Sequence, residues 1–110
     1  MMERRSYERV GFLCRVAVAV RPEAAPIEAR SIDLSLGGVG LATSAALPVG
    51  QTVVLTFFLK GARQEEVRDQ VQGRVVNLKA DLDCNRVGVE FLEPLHESRH
   101  PALVRKLLAL

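Results

Sequence analysis

Tryptophan is absent from this 110-residue sequence, and the aromatic complement is one tyrosine and four phenylalanines. A groove for single-stranded nucleic acid interleaves basic side chains with aromatic platforms on which bases stack. Most of these few aromatics lie in apolar runs and only Tyr7 sits among arginines, so nucleic acid is not an expected partner. Cysteine is nearly as scarce. Cys14 and Cys84 lie far apart without a C-x-x-C spacing, which supplies neither a disulfide framework nor a zinc ribbon and fits a reducing cytoplasm. An excess of one charge is missing too: 15 Lys and Arg stand against 13 Asp and Glu. That balance is too even for binding nucleic acid or an anionic membrane through the overall field, so any anion site must be local. No apolar run is long enough to span a bilayer. The stretch from Val10 to Val20 resembles a secretory core in hydropathy, but Arg15 interrupts it and Arg21-Pro22-Glu23 stands where a small-residue cleavage site would be. Neither a signal peptide nor membrane insertion is expected, and no internal repeat is visible.

What is present is enough for one core. A chain of this length with 48% hydrophobic residues fills a single domain and leaves no room for a second. Residues 1–9 are polar, charged and aperiodic, and read as a flexible N-terminal arm preceding a domain over residues 10–110. From there Phe12, Cys14, Val16, Val18 and Val20 recur at every second position, the spacing that turns one face of a strand to the core. Ile27 to Leu34 reads as a second strand, and Gly37-Gly38 as a tight turn reached through positive φ, leading into a third from Val39 to Thr43. After the Pro48-Val49-Gly50 turn come strands at Val53 to Leu59, near Val67 to Leu78, and at Arg86 to Phe91. Six strands so spaced predict a small antiparallel barrel. In the tail, Leu103, Val104, Leu107 and Leu108 gather on one side of a helix that caps the barrel, with Pro101 in its first turn and Ser98 or His100 at its cap. This stripe is read as core packing, so that the chain is a monomer or a weak homodimer.

Two motifs carry chemistry. Arg5-x-x-x-Arg9 would occur roughly once by chance in a chain so rich in arginine, and its bland reading is a solvated arm. Asp33-x-Ser35-x-x-Gly38 is rarer, with a chance expectation of roughly 0.02, although Asp and Ser also stabilise ordinary turns. Both occur in the order and approximate separation of the PilZ family, the arginines just before the first strand and the second motif between strands two and three. Leu47-Pro48-Val49-Gly50 and Val87-Gly88-Val89-Glu90-Phe91 are similar to that family more loosely. The chain therefore resembles a stand-alone PilZ domain over almost its whole length.

The resemblance implies a six-stranded antiparallel β-barrel with a C-terminal helix, acting as a cytoplasmic bacterial receptor for cyclic di-GMP. It also implies the site: Arg5 and Arg9 fill R-x-x-x-R, while Asp33, Ser35 and Gly38 fill [D/N]-x-S-x-x-G. Arg4, immediately before the first motif, corresponds in this family to binding of two mutually intercalated ligand molecules rather than one. The residue types suit the ligand. A guanidinium forks onto phosphate oxygens or onto guanine O6 and N7. Ionised Asp33 and the Ser35 hydroxyl accept guanine N–H donors, and Gly38 leaves space for a flat base. Arg74 and Arg86 are weaker candidates for the same face. The implied mechanism is an arm that orders over the nucleotide and presents a joint surface to a downstream protein, with no other cofactor and no enzymatic step.

Three other readings compete. A PilZ fold can serve as a protein-interaction module without ligand, and a small barrel can bind single-stranded nucleic acid. His96-Glu97-Ser98-Arg99-His100 matches the H-E-x-x-H of zinc hydrolases. Pro101 directly after His100 disfavours helical geometry there, and only ten residues follow to supply a third ligand, so a helix start is the preferred reading.

Overall fold

The computed structural model describes residues 8–109. Among them are seven strands and one helix: β1 (Val10–Gly11), β2 (Arg15–Ala19), β3 (Ile27–Leu34), β4 (Gly38–Thr43), β5 (Thr52–Lys60), β6 (Glu66–Ala80), β7 (Asn85–Phe91) and α1 (Pro101–Ala109). All neighbours are antiparallel, in the order β1-β3-β2-β5-β6-β7-β4, and β3 also pairs with β4. That last pairing closes β2 to β7 into a six-stranded barrel, with β1 as an extra piece on the end of β3. Alternation fills the interior. Val16 and Val18, Leu55 and Phe57, Val87 and Val89 are all essentially inaccessible to solvent, and burial of such a side chain contributes about 1.5–3 kcal/mol. Phe57 and Phe91 meet edge to face at 6.5 Å.

The turn after Leu47 follows its residue types: Gln51 N–H donates to the Pro48 carbonyl, and Gly50, third in the turn, takes φ 97°. The Gly37-Gly38 expectation fails, because neither glycine has positive φ. Ser35 makes that turn instead, donating its N–H to the Gly38 carbonyl (2.9 Å) while its hydroxyl accepts from Gly37 N–H (3.2 Å).

The first strand is also not continuous. It breaks at residues 12–14, where Leu13 turns outward and Ser31 of β3 bridges the gap. The buried Ser31 hydroxyl accepts from Cys14 N–H (2.9 Å) and donates to the Phe12 carbonyl (2.6 Å), replacing ladder bonds lost at the break. Burial raises the Cys14 thiol pKa, partly opposed by its contact with Ser31.

Helix α1 starts at Pro101 and buries Leu103 and Val104 against the barrel beside β5 and β6. Its N-terminal amide partner differs from the expected side chains. Asp69, buried on β6, accepts from Leu103 N–H at 2.8 Å, a cap supplied from 34 residues away. The H-E-x-x-H segment lies in the turn before this helix. His100 Nδ1 accepts from His96 N–H and His96 Nδ1 pairs with the Ser98 hydroxyl, so each imidazole is engaged within the turn. No helix among the described residues is long and apolar enough to cross a membrane.

Candidate functional site

Asp33 sits near the end of β3, where a register shift between Ser31 and Asp33 interrupts the regular alternation. Arg30 is exposed and Ser31 buried, so an unbroken strand would turn Asp33 inward. The shift turns it out and sends Leu34 into the core. On one side Asp33 pairs with Gly11 of β1, and on the other with Gly40 of β4. Because β1 is fixed on β3 by the Val10–Leu34 and Gly11–Asp33 register, the preceding residue, Arg9, is delivered to the same spot. Its guanidinium donates to Asp33 Oδ1 at 2.7 Å, and Gly40 N–H donates to the same oxygen at 3.1 Å. Both side chains remain about one-third exposed, 36% and 35%, so the ion pair contributes at most about 1 kcal/mol. Its significance is positional: one residue from each motif meets in a single contact.

The remaining motif positions divide. Ser35 is 3% exposed, with its hydroxyl engaged in the Ser35–Gly38 turn. Gly38 faces Glu90 of β7, and a Cβ there would lie 2.6 Å from the Val89 carbonyl oxygen, so the missing side chain lets β4 approach β7. Arg4 and Arg5 lie outside the described residues. Arg74 shares a register row with Gly38 across Glu90. Arg86 lies farther along β7, paired with Asp81 by a 3.0 Å hydrogen bond. Gly40 was not singled out from the sequence. It serves the site doubly, through its N–H bond to Asp33 and because a Cβ there would stand 2.8 Å from Asp33 Oδ1. Pairing β3 with β4 around the Ser35 turn is the signal that would have placed Gly40 opposite Asp33.

The PilZ domain family model matches residues 3–109. The chain belongs to the PilZ family. Among solved structures this PilZ chain is similar to an inhibitor of motility from Bacillus subtilis (MotI/DgrA), at 18% identity and TM-score 0.72, over 98% of this chain and 53% of that one. It is equally similar in fold to the PilZ domain of YcgR from Escherichia coli, solved with cyclic di-GMP, at 17% identity and TM-score 0.72, over 97% of this chain and 93% of that one. The chain thus spans about half of the first and nearly all of the second. No curated protein sequence matches it.

Proposed function

We propose that this PilZ domain is a cyclic di-GMP receptor that closes its N-terminal arginine segment over the ligand and signals to a protein partner. The observation that carries the reading is the Arg9–Asp33 contact, which brings the R-x-x-x-R and [D/N]-x-S-x-x-G motifs to one point on the outer face. Arg9 and Gly40 both donate to Oδ1 of Asp33. A carboxylate has about four acceptor positions, so Oδ2 is the acceptor assigned to guanine N–H donors. Arg9 is assigned to a phosphodiester or to guanine O6 and N7, and Arg5, four residues earlier in the sequence, to the same ligand. Arg4 is assigned to a second, intercalated molecule through stacking on an exposed guanine. Ser35 and Gly38 act by shaping the turn and strand that hold Asp33 in place. The domain that YcgR contributes with cyclic di-GMP bound supports this ligand by family membership.

Isothermal titration with cyclic di-GMP tests the reading and reports the number of molecules bound. Saturable binding is expected, lost in the Arg5→Ala/Arg9→Ala double variant and resistant to competition by single-stranded oligonucleotides. No heat together with no thermal shift overturns it.

A further inference from the structure

A second register shift in the barrel lies in β6, between Val75 and Asn77. Arg74 is exposed and Val75 buried, so regular alternation would turn Asn77 back toward the interior. The shift brings it opposite Gly88 instead, on the outer face. One row then crosses four strands: Asn77 of β6, Gly88 of β7, Gly40 of β4 and Asp33 of β3. Asp33 and Asn77 are thus two polar residues turned outward by the two shifts, at opposite ends of the same row. Both lean inward along it. The Asp33 carboxylate occupies the space where a Cβ on Gly40 would be, at 2.8 Å, and the Asn77 amide does the same over Gly88, at 2.7–2.9 Å. Gly40 and Gly88 are direct partners, and opposed Cβ positions in an antiparallel pair lie about 4.5–5.5 Å apart. A carboxylate and an amide therefore converge on a floor that carries no other side chain. Bulges occur beside binding sites because they re-aim a side chain, and here two of them aim complementary groups at one place.

We propose that Asn77 is a ligand-contacting residue, whose amide N–H₂ donates to an acceptor atom of cyclic di-GMP lying over Gly40 and Gly88. Asp33 supplies acceptors only and Arg9 donates from the Asp33 end of the floor, so Asn77 adds a donor at the far end for a ligand that offers both N–H donors and acceptor oxygens. The acceptor is a guanine O6 or N7 or a phosphodiester oxygen. The inference rests on the cyclic di-GMP reading above.

Titration calorimetry of wild type, Asn77→Ala and Asn77→Asp separates the two. Wild type without binding refutes the receptor reading. With wild type binding, Asn77→Ala is expected to weaken affinity about five- to tenfold, the range of one lost hydrogen bond. Asn77→Asp, which keeps the acceptor but removes the donor, is expected to be weaker still. If its extra deficit shrinks with added salt, the contact is to a phosphodiester oxygen; if it does not, the contact is to the guanine edge. Asn77 is exposed, so melting temperatures should stay near wild type and certify the folded state. Affinity within twofold of wild type in both variants, or Asn77→Asp binding as well as wild type, overturns the assignment.

Discussion

Gly38 and Gly40 are two residues apart on β4, yet alanine at the two positions should fail for different reasons. At Gly38 the new Cβ would lie 2.6 Å from the Val89 carbonyl oxygen and 3.5 Å from Glu90 Cα, both backbone atoms of β7. Relief requires β4 and β7 to part along the ladder from Gly38–Glu90 to Thr43–Asn85. Overpacking of this kind costs about 1–3 kcal/mol, offset by about 0.4–1 kcal/mol from the stiffer unfolded chain. A net loss of about 1–2 kcal/mol lowers the melting temperature of a domain this size by about 4–8 °C. At Gly40 the nearest atoms are Oδ1, Cγ and Oδ2 of Asp33, at 2.8, 3.4 and 3.5 Å. A short side chain can rotate away. The cost is one hydrogen bond and an ion pair about one-third exposed, about 1 kcal/mol, which the same unfolded-state term largely cancels. Gly40→Ala should therefore melt within about 2 °C of wild type while losing cyclic di-GMP affinity, because Asp33 has left its position. Thermal unfolding by circular dichroism without ligand, paired with calorimetry well below both transitions, reads the two effects separately. Gly38→Ala melting like wild type would refute the steric account of the motif glycine. Gly40→Ala binding like wild type would show that the Asp33 orientation seen here is not the one that binds.

Arg9→Ala should lower cyclic di-GMP affinity by about 1–3 kcal/mol, the value of one bidentate guanine contact, yet change the melting temperature by no more than the few degrees equivalent to an exposed ion pair. Unchanged affinity by calorimetry would remove Arg9 from the site. Ser31→Ala strands the Cys14 N–H and the Phe12 carbonyl at the break in the first strand. A loss of about 1–3 kcal/mol in urea unfolding is expected, and an unchanged midpoint would mean that other groups satisfy this backbone. Burial lowers the pKa of His100, opposed in part by the Asp69 charge. The unfolded chain then binds the proton more readily, so the contribution is full above the ordinary histidine value near 6.5 and is lost as pH falls below it. The urea midpoint should drop between pH 7.5 and 5.5 more in wild type than in His100→Gln; parallel curves would contradict this.

The barrel was legible because its interior obeys a period of two. Val16 with Val18, Val53 to Leu59 and Val87 to Phe91 all face inward as alternation requires. Helix α1 was legible from Leu103, Val104 and Leu107, whose three- and four-residue steps mark the face that packs on the barrel, although Leu108, read into the same stripe, is exposed. The failures cluster where local rules yield to distant partners. The first strand looks continuous because its apolar period runs unbroken from Phe12 to Val20, and nothing nearby in sequence discloses that Ser31 takes over from the ladder. The cap of α1 comes from Asp69, which no local capping pattern can show. Gly37-Gly38 suggested left-handed backbone, whereas the constraint on Gly38 is the carbonyl of a strand 51 residues later, at Val89. For the site, sequence order supplied Arg9 and Asp33 but not their contact, which depends on β1 lying against the end of β3.

These irregularities share a physical origin. In a six-stranded barrel with a filled interior, strict alternation assigns each position either to the core or to solvent, and both Asp33 and Asn77 fall on core positions by that count. A buried, unpaired carboxylate there would be expensive. A one-residue shift solves the problem by moving the polar residue out and sending the next apolar one, Leu34 after Asp33, back into the core. Each shift sacrifices ladder bonds locally. The break at residues 12–14 does the same for the first strand and frees β1 to carry Arg9 onto β3. Interrupted register thus gathers on the β1–β3–β4–β7–β6 side of the barrel, where Arg9, Asp33, Ser35 and Gly38 lie, while β2 pairs with β5 in unbroken register on the other side. The departures from regular barrel geometry are what turn a structural shell into a face with aimed donors and acceptors.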